Sequence, residues 1–306
     1  MELCIDFGGT EIKLAVTDGD RVLASRSAAV HGGAEDLATA ASEARSLLAQ
    51  TGARPDAVGI AVPGVVDPAT ARMLHANAKY DHLRDYDLSA WSHREFGVGA
   101  AVENDARAAL IGETSTGSAA GEQDAVLVTL GTGIGTAAMI GGTALRGRTG
   151  HAGILGGHVT VDLDGPVCPC GNAGCGEALA SAWALRESTG LSMSDLFAAP
   201  ESRQTSPEAV GGPDLDGIRT RVLHVWGATV VMLVHMYDPA VVILSGGILR
   251  AGDAVRNPIE AYVQAHVWPS ITAPRFIVPP EPELSVARGL SALALARDAR
   301  PLEEEK

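Results

Sequence analysis

The stretch Leu3-Cys-Ile-Asp-Phe-Gly-Gly-Thr10 reads as a short aliphatic strand that ends in two glycines and a hydroxyl. The same order, an aliphatic strand followed by a glycine-rich turn, returns at residues 126–135 and 241–247. Residues 1–115 alternate strands with helices, and the alternation then begins again. This alternation is typical of α/β proteins. The sequence therefore predicts an N-terminal α/β domain over 1–115 and a larger α/β domain over 116–285.

Composition supports this class and excludes others. Hydrophobic residues make up 46% of the 306 residues and aromatic residues only 4%, as expected for a core of buried aliphatic strands. A net charge of −14 argues against a nucleic-acid partner, because phosphate binding needs a basic surface. No apolar run reaches the roughly 20 residues that span a bilayer. The few cysteines fit a reducing compartment, so we expect a cytoplasmic protein without a membrane partner.

The helix boundaries follow from apolar spacing and from residues that start or stop helices. We expect a helix to begin near Asp105, one helix over 177–187, a long helix over 215–237 and a short one over 262–267. An Ala-rich helix closes the chain from Ser285.

The glycine turns predict phosphate binding, because glycines after a strand expose backbone N–H groups that can cradle phosphate oxygens. Such turns are Gly8-Gly9-Thr10, Gly131-Thr132-Gly133 and Ser245-Gly246-Gly247. The alternative is an ordinary tight turn, which uses glycine anyway. Asp6, beside the first turn, is placed to hold Mg²⁺ through water; its alternative role is to cap the turn.

A candidate catalytic acid stands in Glu103-Asn104-Asp105, which follows a strand and opens a helix. Asn and Asp are common helix caps, so a purely structural role is one interpretation. The functional interpretation is that Asp105 accepts the proton of a substrate hydroxyl while Asn104 positions the substrate. Phosphoryl transfer needs one such carboxylate as the base for the attacking hydroxyl.

A metal site is predicted by His158 together with the stretch Cys168-Pro-Cys170-Gly-Asn-Ala-Gly-Cys175. Three thiolates and one imidazole are an ordinary ligand set of structural Zn²⁺. The glycines between Cys170 and Cys175 let the chain turn back to the metal. The alternative is three unrelated buried cysteines beside a surface histidine. A closed site of this type shapes a loop and does no chemistry.

Together these residues resemble the ROK family of bacterial sugar kinases and sugar-responsive repressors. The resemblance covers nearly the whole chain and rests on the following motifs: Asp6-Phe-Gly-Gly-Thr-Glu-Ile-Lys13, Val62-Pro-Gly64, Glu103-Asn-Asp-Ala106, Leu130-Gly-Thr-Gly-Ile-Gly135, the His158 and cysteine set, and Ser245-Gly-Gly247. Because Asp6 lies so close to Met1, we expect a member without the helix-turn-helix of the repressors.

The resemblance implies an actin-like ATPase (ribonuclease H-like) fold with two α/β domains flanking a cleft, and a C-terminal helix over 286–300 that packs back on the first domain. It implies a homodimer that uses ATP and Mg²⁺ to phosphorylate a hexose, with Asp105 as the general base toward the 6-hydroxyl. The implied sugar-binding residues are Gly64, Asn77, Asn104, Asp105, His158 and Glu177. The implied ATP and Mg²⁺ residues are Asp6, Gly8, Gly9, Thr10, Lys13, Gly131, Thr132, Gly133, Gly246 and Gly247. The zinc ligands His158, Cys168, Cys170 and Cys175 would then fix the loop that carries His158 and Glu177.

One departure from the family pattern concerns the sugar. Family kinases have a glutamate three residues before the histidine, where this chain has Leu155. The loss of a hydrogen bond to a charged group costs about 1.5–3 kcal/mol, so glucose is expected to be a poor substrate. Two alternatives stay open on the sequence alone: a non-catalytic sugar-binding regulator, and a kinase that uses another donor such as polyphosphate.

Overall fold

The protein is described by a computed structural model that covers residues 1–76, 78–198 and 214–298. These residues form two compact units. The first comprises Met1–Gln123, Gly141–Ile154 and the described residues from Pro279 onward; the second comprises Asp124–Ile140 and the described residues of Leu155–Val278. Residues 141–154 thus belong to the first unit, whereas the boundary expected from the sequence sets them in the second.

The regular elements follow the predicted α/β alternation. The strands are β1 (Glu2–Phe7), β2 (Glu11–Asp18), β3 (Arg21–Ala29), β4 (Ala57–Val62), β5 (Gly64–Val66), β6 (Met73–Ala76), β7 (Ala100–Asn104), β8 (Ala125–Leu130), β9 (Ile134–Ile140), β10 (Thr143–Ala144), β11 (Val241–Ser245) and β12 (Arg275–Ile277). The α-helices are α1 (Glu35–Thr51), α2 (Leu88–Phe96), α3 (Asp105–Ser115), α4 (Gly176–Ala180), α5 (Ala182–Thr189), α6 (Met193–Phe197), α7 (Leu215–Tyr237), α8 (Asp253–His266) and α9 (Ser285–Asp298).

The first unit is built on a sheet with the strand order β3-β2-β1-β4-β7. β1, β2 and β3 form an antiparallel meander, and β1, β4 and β7 run parallel. Every residue of β1 and β4 is buried, as expected for central strands that are covered on both faces. The parallel strands end at the same edge of the sheet, which brings Asp6, Val62 and Asn104 to one edge.

Helices α3 and α9 of this unit pack closely because each helix has a glycine that faces the backbone of the other helix. A Cβ on Gly289 would lie 1.8 Å from the carbonyl oxygen of Ala108, and one on Gly112 would lie 2.0 Å from that of Ser285. Larger residues would force the two helices apart. The close approach anchors α3, which begins at the candidate base Asp105.

In the second unit, the strands follow the order β9-β8-β11-β12, with β8 and β11 parallel. Strand β11 is buried throughout. The long α7 packs against α4, and the indole N–H of Trp226 donates to the carbonyl oxygen of Ala180 at 2.9 Å. Because parallel β8 and β11 end side by side, the turns that follow Leu130 and Ser245 lie at the same edge of the sheet.

Two predicted helices differ from the structure in their bounds. The helix expected over 177–187 is two helices, α4 and α5, because the chain is extended at Ser181, whose side chain caps α5 by accepting from the N–H of Ala184. The helix expected over 262–267 begins nine residues earlier, at Asp253, and contains Pro258. Within the described ranges, no helix has the length and apolar character needed to cross a bilayer.

Candidate active site and metal centre

The first glycine turn joins β1 to β2 and is fixed by its neighbours. The N–H of Gly8 donates to the carbonyl oxygen of Glu11 at 3.0 Å, and a Cβ on Gly8 would lie 2.8 Å from that oxygen, so no side chain fits there. The hydroxyl of Tyr80 donates to the carbonyl oxygen of Gly8 at 2.7 Å. Gly9 and Thr10 at the tip are exposed. The turn is thus rigid at its base and open to solvent at its tip.

Two aspartates meet near this turn. Asp6, 9% exposed, lies one residue before the end of β1, and among the described residues its Oδ1 has no hydrogen-bond partner. Burial, and then the negative charge of Asp105, raise the pKa of Asp6 to about 7, while Lys13 opposes the shift. Lys13 is paired with Asp6 in the β1–β2 register. The structure therefore brings Asp6, Lys13 and Asp105 together within the first unit.

Asp105 itself begins α3. Its Oδ1 accepts from the N–H of Ala106 at 2.8 Å and from the side-chain amide of Asn104 at 3.0 Å. Burial raises the pKa of Asp105, and these two hydrogen bonds lower it in part. The result is a carboxylate that is more basic than an exposed aspartate and is held in one orientation.

Asn104 caps α3 and links it to a third element. Its Oδ1 accepts from the N–H of Arg107 at 3.0 Å, and its Nδ2 donates to the carbonyl oxygen of Gly64 at 3.1 Å as well as to Asp105. The structural role considered for Asn104 is therefore present. The same bonds bring together Gly64, Asn104 and Asp105.

A buried ion-pair network lies directly behind this cap. Glu103 Oε1 accepts from the guanidinium of Arg107 at 2.6 Å, and Oε2 accepts from Arg146 at 2.6 Å. Arg107 also donates to the carbonyl oxygens of Leu145, at 2.8 Å, and Gly150, at 2.8 Å. Arg107 thereby fixes the segment 145–152 against α3.

In the second unit, the turn Gly131-Thr132-Gly133 is held by the segment that follows the cysteines. The carboxylate Oε2 of Glu177 accepts from the N–H of Ile134 at 2.8 Å. A Cβ on Gly133 would lie 2.5 Å from the same oxygen, so a side chain at this position would displace the carboxylate from the turn. The structure therefore places Glu177 against the glycine turn.

The turn after β11 lies at the same sheet edge. Ser245 is paired with Thr129 in the register of the parallel strands β11 and β8. Gly246 has a φ of 101°, and a Cβ there would lie 2.1 Å from the carbonyl oxygen of Leu130. Glycine is therefore required at this position, and Gly247 continues the turn.

The four predicted metal ligands converge. One ligand atom from each of His158, Cys168, Cys170 and Cys175 lies within 4.8 Å of all the others. Cys168 Sγ is 3.6 Å from His158 Nδ1, and Cys170 Sγ is 3.7 Å from Cys175 Sγ. Bonds of about 2.3 Å to a tetrahedral ion separate two sulfurs by about 3.8 Å, so these distances fit a single metal ion. The side chains could hold an ion through Nδ1 of the histidine, which leaves its Nε2 for another partner.

The sequence and structure of this chain match known proteins over nearly their whole length. The ROK family model matches residues 2–298. A glucokinase from Thermotoga maritima is 31% identical over 281 residues, which are 87% of this chain and 88% of the relative. The chain belongs to the ROK family. The predicted family and the predicted zinc-type ligand cluster are therefore both supported by independent observations.

Solved structures give the fold of this ROK protein. The ROK hexokinase from Thermus thermophilus superposes with a TM-score of 0.78 at 28% identity, covering 97% of this chain and 98% of that one. A ROK family glucokinase from Streptomyces griseus, in complex with glucose and AMPPNP, gives a TM-score of 0.74 at 28% identity, covering 97% of this chain and 99% of that one. The fold is the actin-like ATPase (ribonuclease H-like) fold, which confirms the predicted fold class.

Three further positions bear on the ROK site. Leu155, where the resemblance led us to expect a glutamate, is 43% exposed and directly precedes the short 3₁₀ helix Gly156–His158. Asn77, predicted to contact the sugar, lies outside the described residues. Arg107 had no interpretable role in the sequence. In the structure it pairs with Glu103, four residues earlier, and it donates to the carbonyl oxygens of Leu145 and Gly150, which are 38 and 43 residues away and which no local pattern reveals.

Proposed function

We propose that this ROK protein is an ATP-dependent hexose kinase that transfers the γ-phosphoryl group of ATP to the 6-hydroxyl of a hexose or hexose derivative. The observation that carries the proposal is the environment of Asp105 at the start of α3: its half-buried carboxylate is fixed by the N–H of Ala106 and the side-chain amide of Asn104, and burial raises its pKa. The activity of the glucokinase and hexokinase relatives supports the same reaction. The exposed apolar Leu155 favours a sugar that does not need a carboxylate at this position.

Asp105 acts as the general base. Its raised pKa strengthens its attraction for the proton of the attacking hydroxyl, and its fixed orientation directs that hydroxyl toward the phosphoryl group. Since phosphoryl transfer depends mainly on positioning and charge neutralisation, one such carboxylate is sufficient. Gly64, Asn77, Asn104, His158 and Glu177 are the proposed contacts to the sugar hydroxyls.

The glycine turns bind the nucleotide. The turns Gly8-Gly9-Thr10 in the first unit and Gly131-Thr132-Gly133 in the second are the proposed contacts to the phosphates, to which the exposed hydroxyls of Thr10 and Thr132 can donate. Lys13 adds positive charge beside the first turn. Gly246 and Gly247 are the proposed contacts on the adenosine side.

Asp6 is the proposed holder of magnesium. Its buried Oδ1 has no partner among the described residues, and a hydrated Mg²⁺ would satisfy it. Magnesium supplies charge neutralisation to the phosphates when bound. Asp6 must be ionised for this role, and a nearby cation would oppose the burial that raises its pKa.

Zinc is the proposed ion of the Cys₃His cluster, because thiolates and a neutral imidazole in a tetrahedral set are its ordinary ligands. His158, Cys168, Cys170 and Cys175 would hold it, and the closed set leaves it a structural role. A homodimer and a cytoplasmic location stay predictions. The glucokinase relatives favour catalysis over the non-catalytic alternative, and ATP is the proposed donor in preference to polyphosphate.

The decisive experiment is a coupled ADP-release screen of hexoses, amino sugars and N-acetyl sugars with zinc-loaded protein, ATP and Mg²⁺. Asp105→Asn should lower kcat on the best sugar by about 10²–10⁴-fold, because it removes the base and keeps the shape. Asp20→Asn, in the exposed β2–β3 turn, is the matched control and should keep the wild-type rate. Failure to phosphorylate any sugar, or a wild-type rate in Asp105→Asn, would contradict the proposal.

A further inference from the structure

Glu177 stands between the metal cluster and the glycine turn of the second unit. It lies two residues after the ligand Cys175, and its Oε2 accepts from the N–H of Ile134 at 2.8 Å. Ile134 follows directly after Gly133, whose missing side chain makes room for the same carboxylate oxygen. The carboxylate is therefore built into the turn as a hydrogen-bond acceptor.

Two more bonds attach the turn to the same segment. The N–H of Ala182 donates to the carbonyl oxygen of Gly131 at 3.1 Å, and that of Trp183 to the carbonyl oxygen of Thr132 at 3.4 Å. Both N–H groups lie in the first turn of α5, where a helix has no internal acceptors for them. The break at Ser181 thus supplies donors to the turn, and Glu177 supplies the acceptor.

The other end of this segment is attached to the metal cluster. The N–H of Gly176 donates to the carbonyl oxygen of Val159 at 3.1 Å, so the residues that follow Cys175 and His158 are bonded to each other. A Cβ on Gly176 would lie 2.6 Å from the hydroxyl of Thr229, so α4 is pressed against α7. A metal held by His158 and Cys175 would therefore fix the start of α4.

We propose that Glu177 is a positioning residue through which the metal cluster sets the shape of the Gly131–Gly133 turn, and with it the affinity for the phosphates of the nucleotide. This role rests on the proposed function, in which the turn binds ATP, and it is separate from the contact to sugar proposed for the same side chain. One carboxylate oxygen serves the turn, and the other is available to a sugar hydroxyl.

The test measures nucleotide binding without sugar, so that a sugar contact alone would leave it unchanged. AMPPNP with Mg²⁺ is titrated calorimetrically into zinc-loaded wild type, Glu177→Ala, Glu177→Gln and the control Glu187→Ala, an exposed position on α5. Glu177→Ala should raise the Kd about five- to twentyfold, because the Ile134 N–H loses its acceptor. Glu177→Gln should stay within about threefold of wild type, because the amide oxygen still accepts that bond.

Hydrogen exchange at the Ile134 amide gives a second, independent readout, with zinc content and melting temperature measured on the same samples. Glu177→Ala should lower protection at Ile134, and Glu177→Gln should keep it. If protection is unchanged in Glu177→Ala, or if it falls without weaker AMPPNP binding, the positioning role is overturned while the kinase proposal stands. If wild type itself binds no AMPPNP, the proposed function fails and this role fails with it.

Discussion

Replacing Arg107 with methionine tests the buried network beside helix α3, which begins at the proposed base Asp105. The Arg107 side chain is 1% exposed, pairs with Glu103 at 2.6 Å and donates to the carbonyl oxygens of Leu145, Gly150 and Ala152 at 2.8, 2.8 and 3.2 Å. Methionine keeps much of the volume and removes every donor. The carbonyl oxygens would lose charge-assisted bonds, and Glu103 would stay buried with one cation fewer.

The expected loss of unfolding free energy depends on the interactions that Glu103 keeps in the variant. Removal of one partner from a buried ion pair costs about 3–5 kcal/mol when the other charge is left unpaired. Glu103 keeps Arg146, which is 32% exposed, so the ion-pair part falls below this range, and the orphaned carbonyls add about 1 kcal/mol each where water does not reach them. We expect Arg107→Met to lower the free energy of unfolding by about 3–5 kcal/mol in total.

Urea unfolding followed by tryptophan fluorescence measures this loss. Arg84→Met is the matched control, because Arg84 pairs with Asp81 at 2.9 Å on the surface and should cost less than about 1 kcal/mol. In the double variant Glu103→Gln/Arg107→Met, a neutral amide replaces the buried carboxylate, so part of the lost free energy of unfolding should be recovered. A loss below about 1 kcal/mol in Arg107→Met, equal to that of the surface control, would refute the reasoning.

Two further predictions concern Asp6 and Leu155. The pKa of Asp6 is raised to about 7 in the folded protein, so its ionisation costs stability as pH rises from about 4 to about 7. The free energy of unfolding of Asp6→Asn, relative to that of wild type, should therefore rise by about 1–3 kcal/mol between pH 5 and pH 8, as measured by urea unfolding. The variant should also lose turnover. If the difference between variant and wild type is equal at both pH values, the burial assigned to Asp6 is contradicted. Leu155→Glu restores the family carboxylate and should lower the KM for glucose about 10- to 100-fold with little change in the KM for ATP, whereas Leu155→Gln should do less. An unchanged KM for glucose in Leu155→Glu would mean that this exposed position does not face the sugar.

The sequence predicted those features that depend on neighbours in the chain. A strand followed by glycines located each of the three turns, and the cysteine spacing located the metal cluster. The helix break at Ser181 escaped prediction because the apolar pattern of 177–187 continues through it. The acceptor that makes the break favourable, the carbonyl oxygen of Gly131, lies 51 residues earlier and bonds to the N–H of Ala182.

The start of α8 was missed although the sequence contains a signal for it. Val255, Ile259 and Val263 are buried and stand four residues apart, which is helical spacing, but Pro258 lies among them. Pro258 is the sixth residue of α8, beyond the first turn in which a missing N–H costs no helical bond, so the proline predicts an interruption that the structure does not contain. The bonds from Arg107 to Leu145, Gly150 and Ala152 had no such signal, because only the folded chain brings that segment near.

The two interpretations of Asn104, helix cap and substrate contact, turn out to be compatible, and the cap limits the contact. Both amide hydrogens of Asn104 have acceptors, the carbonyl oxygen of Gly64 and the carboxylate of Asp105, and its Oδ1 already accepts from the N–H of Arg107. What remains is the second lone pair of Oδ1. On the proposed function, the sugar hydroxyl that meets Asn104 must therefore donate its hydrogen, as must the hydroxyl that meets Asp105. In this proposal, Asn104 holds the carboxylate of Asp105 in place with its hydrogens and accepts from the substrate with its oxygen.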